Sequence, residues 1–249
     1  MMQDMEPANQ ALFAGRAARR AQPSYSARKT QDIADCLKRF FADVVPGAQI
    51  DDVRRMGGGA SKEQFLFTMA EPGAAAQRYV LRMDPLEAIT ETSRKREYEV
   101  LTAVQGIIPA PNPRWLDEDG RVFGRPCAIM DFVGGVTKPA GAGLKVSGLG
   151  TWLGEPLRAK LKGPFLDYLV RLHGMDWRAA NLPSFSAPER DAKQSARWSF
   201  NYWQTLWEQD AIEPVPIMSY TRQWLMDHMP DTADLCLIHC DYRTGNYLF

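Results

Sequence analysis

Apolar residues at Ile33, Cys36, Leu37, Phe40, Phe41 and Val44 fall three and four apart, the spacing of one helix face, so a helix is predicted from about residue 29 to 45. Thr30 or Ser26 is placed to cap its start, and Pro46-Gly47 ends it. The period then shortens. Short apolar stretches around Val53, Phe65-Leu66-Phe67 and Tyr79-Val80-Leu81-Arg82 are separated by Gly57-Gly58-Gly59 and by Glu71-Pro72-Gly73, which reads as strand, glycine loop, strand, turn, strand. Helical spacing returns from about 91 to 104 with Tyr98, Leu101 and Val104. The proline-rich stretch 107–113 is a rigid extended linker, and Trp115-Leu116 and Val122-Phe123 flank a hairpin signal at 117–120. Residues 126–135 form an apolar strand that runs into glycines.

The second half is helical. Residues 134–154 are Gly-rich and read as loop, and Pro164 suits the first turn of a helix to about Leu172 with Phe165, Leu169, Val170 and Leu172 inward. Trp198, Tyr202, Trp203 and Trp207 make an aromatic stripe, either core or the lining of a substrate pocket. A further helix is predicted from about 218 to 228. Two buried strands, around Leu235, Leu237 and Ile238 and around 247–249, enclose a polar loop. The start, 1 to about 26, is Ala/Gln/Arg-rich and weakly patterned, so it reads as a solvated or frayed tail with a basic cluster at Arg16, Arg19 and Arg20.

Composition narrows the function. With 249 residues, 45% apolar and 24% charged, the chain has material for one large domain or two lobes. Its 30 basic and 30 acidic residues cancel, which argues against nucleic acid and against an anionic membrane surface as partners. No apolar window is long enough to span a bilayer, and the start lacks a signal core, so secretion is not expected. Four scattered cysteines, Cys36, Cys127, Cys236 and Cys240, suit a reducing cytoplasm better than a disulfide framework.

The candidate chemistry lies at the end of the chain. His239-Cys240-Asp241, four residues and then Asn246 match the spacing of a phosphoryl-transfer catalytic loop. An Asp there aligns an acceptor hydroxyl and takes its proton, while a neutral Asn oxygen holds magnesium without adding charge beside phosphates. His239 reads as a buried donor bracing the loop. The plainer alternative is a turn on Thr244-Gly245-Asn246 with Asp241 binding turn amides.

Other segments offer matching parts. Glycines at 57–59 let backbone N–H groups approach phosphate, and the strand that follows them, with no G-K-[ST], excludes a dinucleotide fold and a P-loop. A plain hairpin is the alternative. Arg82 ends a strand and Glu97 follows fifteen residues later on a helix, the arrangement of a phosphate-gripping ion pair or of two ordinary surface charges. Cys236, His239 and Cys240 do not make a zinc site, because neighbours on a short strand and loop point apart and no fourth ligand is evident.

This ordered set, from the glycine flap through Tyr79-Val80-Leu81-Arg82-Met83-Asp84-Pro85, Arg96-Glu97-Tyr98 and Leu172-His173 to His239-x-Asp241, resembles the aminoglycoside phosphotransferase/choline kinase-like family of small-molecule kinases from about Val53 to Phe249. It is most similar to the branch sometimes fused to acyl-CoA dehydrogenases. The resemblance implies an α+β, two-lobed protein-kinase-like fold. A flexible tail would cover 1–28, a β-rich N-lobe 29–133, and an incomplete helical C-lobe with the catalytic loop 134–249. It implies ATP and Mg2+ as cofactors and a small-molecule hydroxyl as acceptor. Asp241 would be the base, Arg243 a cation near the transferred phosphate or a brace for the loop, and Asn246 a metal ligand. Gly58, Gly59, Ala60, Ser61, Arg82 and Glu97 would hold the phosphates, and backbone groups from about Met130 to Phe132 would meet the adenine beside a hinge at 132–135.

The chain departs from the family pattern in three ways. Cys240 replaces a glycine, Lys62 replaces the Asn that often follows the flap serine, and no acidic residue after Asn246 serves as the second metal ligand. The last departure predicts a fragment of a longer protein or a natural truncation, with the strand at Phe249 lacking its hairpin partner. The alternative function is then an impaired or pseudokinase-like nucleotide-binding or interaction module.

Overall fold

A computed structural model of the chain describes residues 4–21, 28–57, 63–84, 90–136, 139, 146–147, 150–151, 153–189, 191–231 and 234–249. Helix α1 spans Pro7–Arg20 and α2 spans Thr30–Val44. Strands β1 (Gln49–Arg55), β2 (Glu63–Ala70) and β3 (Gln77–Met83) precede α3 (Arg94–Ala103), and β4 (Pro113–Asp117) and β5 (Cys127–Asp131) follow it. The five strands form one antiparallel sheet in the order β1-β2-β3-β5-β4.

Strand alternation decides what each face meets. Phe65, Phe67 and Met69 of β2 and Tyr79, Leu81 and Met83 of β3 share one face, where they pack against Ile33, Cys36, Leu37, Phe40 and Phe41 of α2. Phe41 meets Trp115 and Phe67 edge-on or tilted, with ring centroids 4.9 and 6.0 Å apart. Each fully buried aromatic there contributes about 1.5–3 kcal/mol through burial, so this face is the main core. The opposite face carries Leu66, Val80, Ala128 and Met130, and against it lie Tyr98 and Leu101 of α3. Arg82 has the parity of Val80 and therefore faces α3.

After β5 the chain enters a helical half. Two-residue strands β6 (Val146–Ser147) and β7 (Gly150–Thr151) pair with each other, and α4 (Glu155–Gly174), α5 (Gln194–Asp210) and α6 (Pro216–Asp227) follow. Among the described residues no helix is long and apolar enough to cross a membrane.

Several expectations are corrected. The N-terminal stretch contains a docked helix rather than a solvated tail. Met5 and Phe13 are buried against Leu206 and Tyr202 of α5, and Arg16 is buried between Glu91 and Asp210. Phe13 is the buried apolar anchor of this helix among the described residues, and Arg16 adds ion pairs and a hydrogen bond to Gln209 at 2.9 Å, which hydrophobic spacing does not register. Val122-Phe123 is not a strand. The Asp117 carboxylate accepts from the N–H groups of Arg121, Val122 and Phe123 at 2.9, 3.0 and 3.3 Å, coiling the segment into a turn, and β4 pairs with β5 instead. Helix α4 begins at Glu155 with Pro164 in its interior. Of its expected inward residues Leu172 is buried, whereas Val170 is 69% exposed. The apolar runs around the terminal loop form no strand and belong to neither sheet, and Ile238 and Leu248 are exposed. The edge expected at Phe249 is partnered, since Phe249 and Val136 exchange backbone hydrogen bonds of 2.9 and 3.1 Å.

Candidate functional site

Two clusters of charged side chains are built, one between β3 and α3 and one in the terminal loop. The first lies between β3 and α3. Ser93 caps α3 by accepting from the Arg96 N–H at 3.3 Å, which fixes where the first turn starts. That turn carries Glu97, whose carboxylate forms an ion pair with the Arg82 guanidinium. Arg82 is 23% exposed at its side chain, yet its Nε is buried and has no hydrogen-bond partner among the described residues. Burial lowers the pKa of Arg82, and the Glu97 charge raises it in opposition. A buried donor left unpaired is costly, and a phosphate oxygen is the acceptor chemistry that would satisfy it.

The second cluster is the terminal loop. The Tyr242 hydroxyl donates to the Phe165 carbonyl at 2.6 Å, the Phe165 ring contacts both Tyr242 and Tyr247, and the Trp177 indole donates to the Leu235 carbonyl at 2.8 Å. These contacts anchor the loop to α4 and the segment after it. Cys240 has φ +66°, the left-handed region that glycine occupies without steric cost. Beyond it Asp241 is 59% exposed at its side chain. Arg243 Nε donates to Asp241 Oδ1 at 2.8 Å, and Asn246 Nδ2 donates to both the Asp241 carbonyl and Oδ2 at 2.8 Å. The hydrogen bond from Arg243, then that from Asn246, hold the Asp241 carboxyl below its ordinary range. A 3-10 turn at Thr244–Asn246 sets the return of the chain that lets Asn246 reach back.

His239 does not take the role expected of it. It is exposed, and its Nδ1 accepts the Asp241 N–H at 3.3 Å rather than donating from a buried position. Arg243 sits on Asp241 itself. Among the described residues no group of three His, Cys, Asp or Glu side chains gathers to hold a metal, and the Cys236, His239 and Cys240 set is among those that do not. The Asn246 amide nitrogen faces Asp241, which turns its oxygen away from that carboxylate.

The end of β5 and the residues after it lead from one cluster toward the other. Met130 is buried, in register with Val80 and Pro113, and the N–H groups of Asp131 and Phe132 donate to the carbonyls of Asn112 and Arg78 at 2.9 and 3.1 Å. The Phe132 ring lies under the Arg78 guanidinium, 4.2 Å away. The donors at 131 and 132 are thus already used within the sheet and its approach. A few residues on, the Val136–Phe249 pair ties the segment after β5 to the end of the Asp241 loop. The loop also lies within electrostatic reach of α3. Although exposed, the Cys240 thiol is raised by desolvation from the atoms around it, and the Arg96 guanidinium pulls the other way.

Gly58, Gly59, Ala60 and Ser61 lie outside the described residues. The hairpin closes on the near side of them, where the Met56 N–H donates to the Gln64 carbonyl at 2.9 Å. Just past them Glu63 is buried between Arg55 and Arg125. That residue, Arg94 and Glu6 escaped the sequence reading. The available signal was a charge at a strand or helix position whose neighbours are apolar, and it has meaning only once the partners are known.

The model of the phosphotransferase enzyme family (APH) matches residues 52–249. The mouse protein acyl-CoA dehydrogenase family member 10 is 25% identical over 231 residues, 89% of this chain and 20% of that protein. Among solved structures, a candidate aminoglycoside phosphotransferase from Ralstonia eutropha JMP134 superposes with a TM-score of 0.59 at 25% identity, covering 86% of this chain and 60% of its own. The chain therefore spans a fifth of the mouse protein and three fifths of the bacterial one.

Proposed function

We propose, from the premise that this chain belongs to the phosphotransferase enzyme family and has its two-lobed, protein-kinase-like α+β fold, that it transfers the terminal phosphoryl group of ATP to a hydroxyl of a small molecule. The observation that carries this reading is Asp241, a carboxylate open to solvent, ionised at neutral pH and oriented by directed hydrogen bonds to both of its oxygens. Each oxygen retains a lone pair for an acceptor hydroxyl. As that hydroxyl oxygen bonds to the γ-phosphorus, its proton passes to Asp241 and the bond to the β-phosphate oxygen breaks, releasing ADP. Arg82, held by Glu97, would meet phosphate oxygens with the donor it leaves unspent, and Arg243 would keep Asp241 in register beside the charge that develops. Gly58, Gly59, Ala60 and Ser61 are proposed as the flap over the phosphates, with the base lying along the hinge beside Phe132.

Magnesium suits this site in part. Asn246 supplies one neutral oxygen, and a small hard cation keeps several waters and takes phosphate oxygens for the rest. Bound there, it would neutralise charge on the transferred group. A cytoplasmic location is proposed on the ground that all four cysteines are free thiols.

The test is a screen of hydroxyl compounds with Mg-ATP: aminoglycosides, sugars, amino alcohols and hydroxyacyl compounds. The wild type is expected to turn over one class, and Asp241→Asn is expected to lose about 100-fold or more in rate with ATP affinity retained. Undiminished turnover by Asp241→Asn overturns the assignment of the base. Nucleotide binding without transfer to any class favours a binding module.

A further inference from the structure

We propose that Arg94 is a positioning residue for the phosphate-binding cation: it locks Glu97 so that Glu97 holds Arg82 in one orientation. This inference rests on the nucleotide reading of Arg82. Arg82 and Asp84 are two apart at the end of β3 and share a face, while Arg94 and Glu97 are three apart on α3 and share another. The two faces meet as a ring of alternating charge. Arg82 pairs with Glu97 Oε1, Arg94 pairs with Glu97 Oε2, and Arg94 Nε donates to Asp84 Oδ1 at 2.7 Å. The third nitrogen of the fork donates to Thr92 Oγ1 at 3.1 Å. Asp84 is itself fixed, since its N–H donates to the Pro126 carbonyl at the start of β5 at 3.1 Å.

Three features separate this arrangement from an ordinary surface pair. The Arg94 side chain is 1% exposed, so it cannot touch a ligand and acts only through its neighbours. It occupies the first position after the Ser93 cap, where the positive end of the helix dipole disfavours a cation. Its planar fork engages two carboxylates on two elements at once, which a lysine ammonium does not reproduce. Without Arg94, the Glu97 carboxylate would lose this anchor and could close more fully on Arg82. That change would turn the guanidinium toward α3 and away from an incoming phosphate.

The experiment measures the dissociation constant of Mg-ATP by titration calorimetry for the wild type, Arg94→Met, Arg82→Met and the double variant. Arg94→Met is expected to weaken binding about tenfold, and to change it less than about twofold when Arg82 is already Met. Equal losses in both backgrounds would mean that Arg94 acts on the fold in general and would overturn the proposal. Asp84→Asn frees Arg94 from its second anchor and should give a smaller loss that likewise disappears beside Arg82→Met. It carries the same cycle if Arg94→Met does not fold. Absence of Mg-ATP binding by the wild type would overturn the nucleotide reading itself, and is seen before any variant is compared.

Discussion

Glu6→Ala tests whether the N-terminal helix is part of the domain. The Glu6 carboxylate accepts from both terminal nitrogens of Arg96 at 2.8 and 2.9 Å, from the Ser186 N–H at 3.0 Å and from Asn9 at 3.2 Å. Both side chains of the Glu6–Arg96 pair are largely buried, at 11% and 16% exposure. Truncation leaves the Arg96 guanidinium short of its counter-charge and the Ser186 amide without this acceptor. Breaking a fully buried pair costs about 3–5 kcal/mol. The residual exposure, and the Phe185 ring that stacks 3.8 Å from Arg96, reduce the expected loss to about 2–3 kcal/mol. For a chain of this length that is a fall of roughly 5–10 °C in Tm. Urea unfolding of wild type, Glu6→Ala, Arg96→Met and the double variant isolates the pair, with an expected coupling of about 1–3 kcal/mol. A loss under about 0.5 kcal/mol, the size of a surface substitution, would show that α1 is a frayed tail after all.

Three further outcomes follow from local geometry. Cys240→Gly should stabilise the fold by about 0.5–1 kcal/mol in urea unfolding, because glycine removes the left-handed strain of about 1–2 kcal/mol and gives part of it back as unfolded-state entropy. Destabilisation would refute that strain. Gly120→Ala should cost more than about 2 kcal/mol in the same assay, since Gly120 has φ +68° and an added Cβ would lie 2.4 Å from the Arg125 backbone; a neutral effect would refute the turn. The Asp241 carboxyl should titrate below the ordinary value of about 3.9 when followed by NMR, and a raised value would refute its bracing by Arg243 and Asn246. Because its folded-state pKa is depressed, Asp241 contributes stability that is present above the unfolded pKa and lost as pH falls through the folded one.

The strands and helix of the N-terminal half were legible because their apolar residues obey one period each. Phe65, Phe67, Tyr79 and Leu81 alternate, and Ile33, Leu37, Phe40 and Phe41 follow a helix face. The alternation also puts Arg82 on the face that meets α3, where Glu97 pairs with it. Spacing also brought Asp241 and Asn246 together, because five residues through a tight turn is a local distance. What spacing did not carry were partners far apart in sequence. Arg16 with Asp210, Glu6 with Arg96 and Glu99 with Ser184 join positions 85 or more residues apart, and each residue alone looks like a solvated charge. Val122-Phe123 misled for a different reason. They have strand propensity, but the Asp117 carboxylate offers their N–H groups a local partner that competes with a ladder.

Helix α3 accounts for why so much of this interface is ionic. It has no continuous apolar stripe; Tyr98 and Leu101 are its main hydrophobic contacts with the sheet. Its other faces are claimed by charge: Arg94 and Glu97 by β3, Arg96 by Glu6 of the N-terminal segment, and Glu99 by the N–H and hydroxyl of Ser184 at 3.0 and 2.7 Å. A helix that is polar on most sides bridges structural units rather than filling a core. Apolar packing would tolerate sliding by a fraction of a turn, whereas four directional ion pairs and hydrogen bonds on three faces fix rotation and height together. The residue whose orientation depends most on that fixing is Glu97, and through it Arg82. The N-terminal segment and the segment around Ser184 therefore bear on Arg82 without approaching it, by leaving α3 one position to occupy.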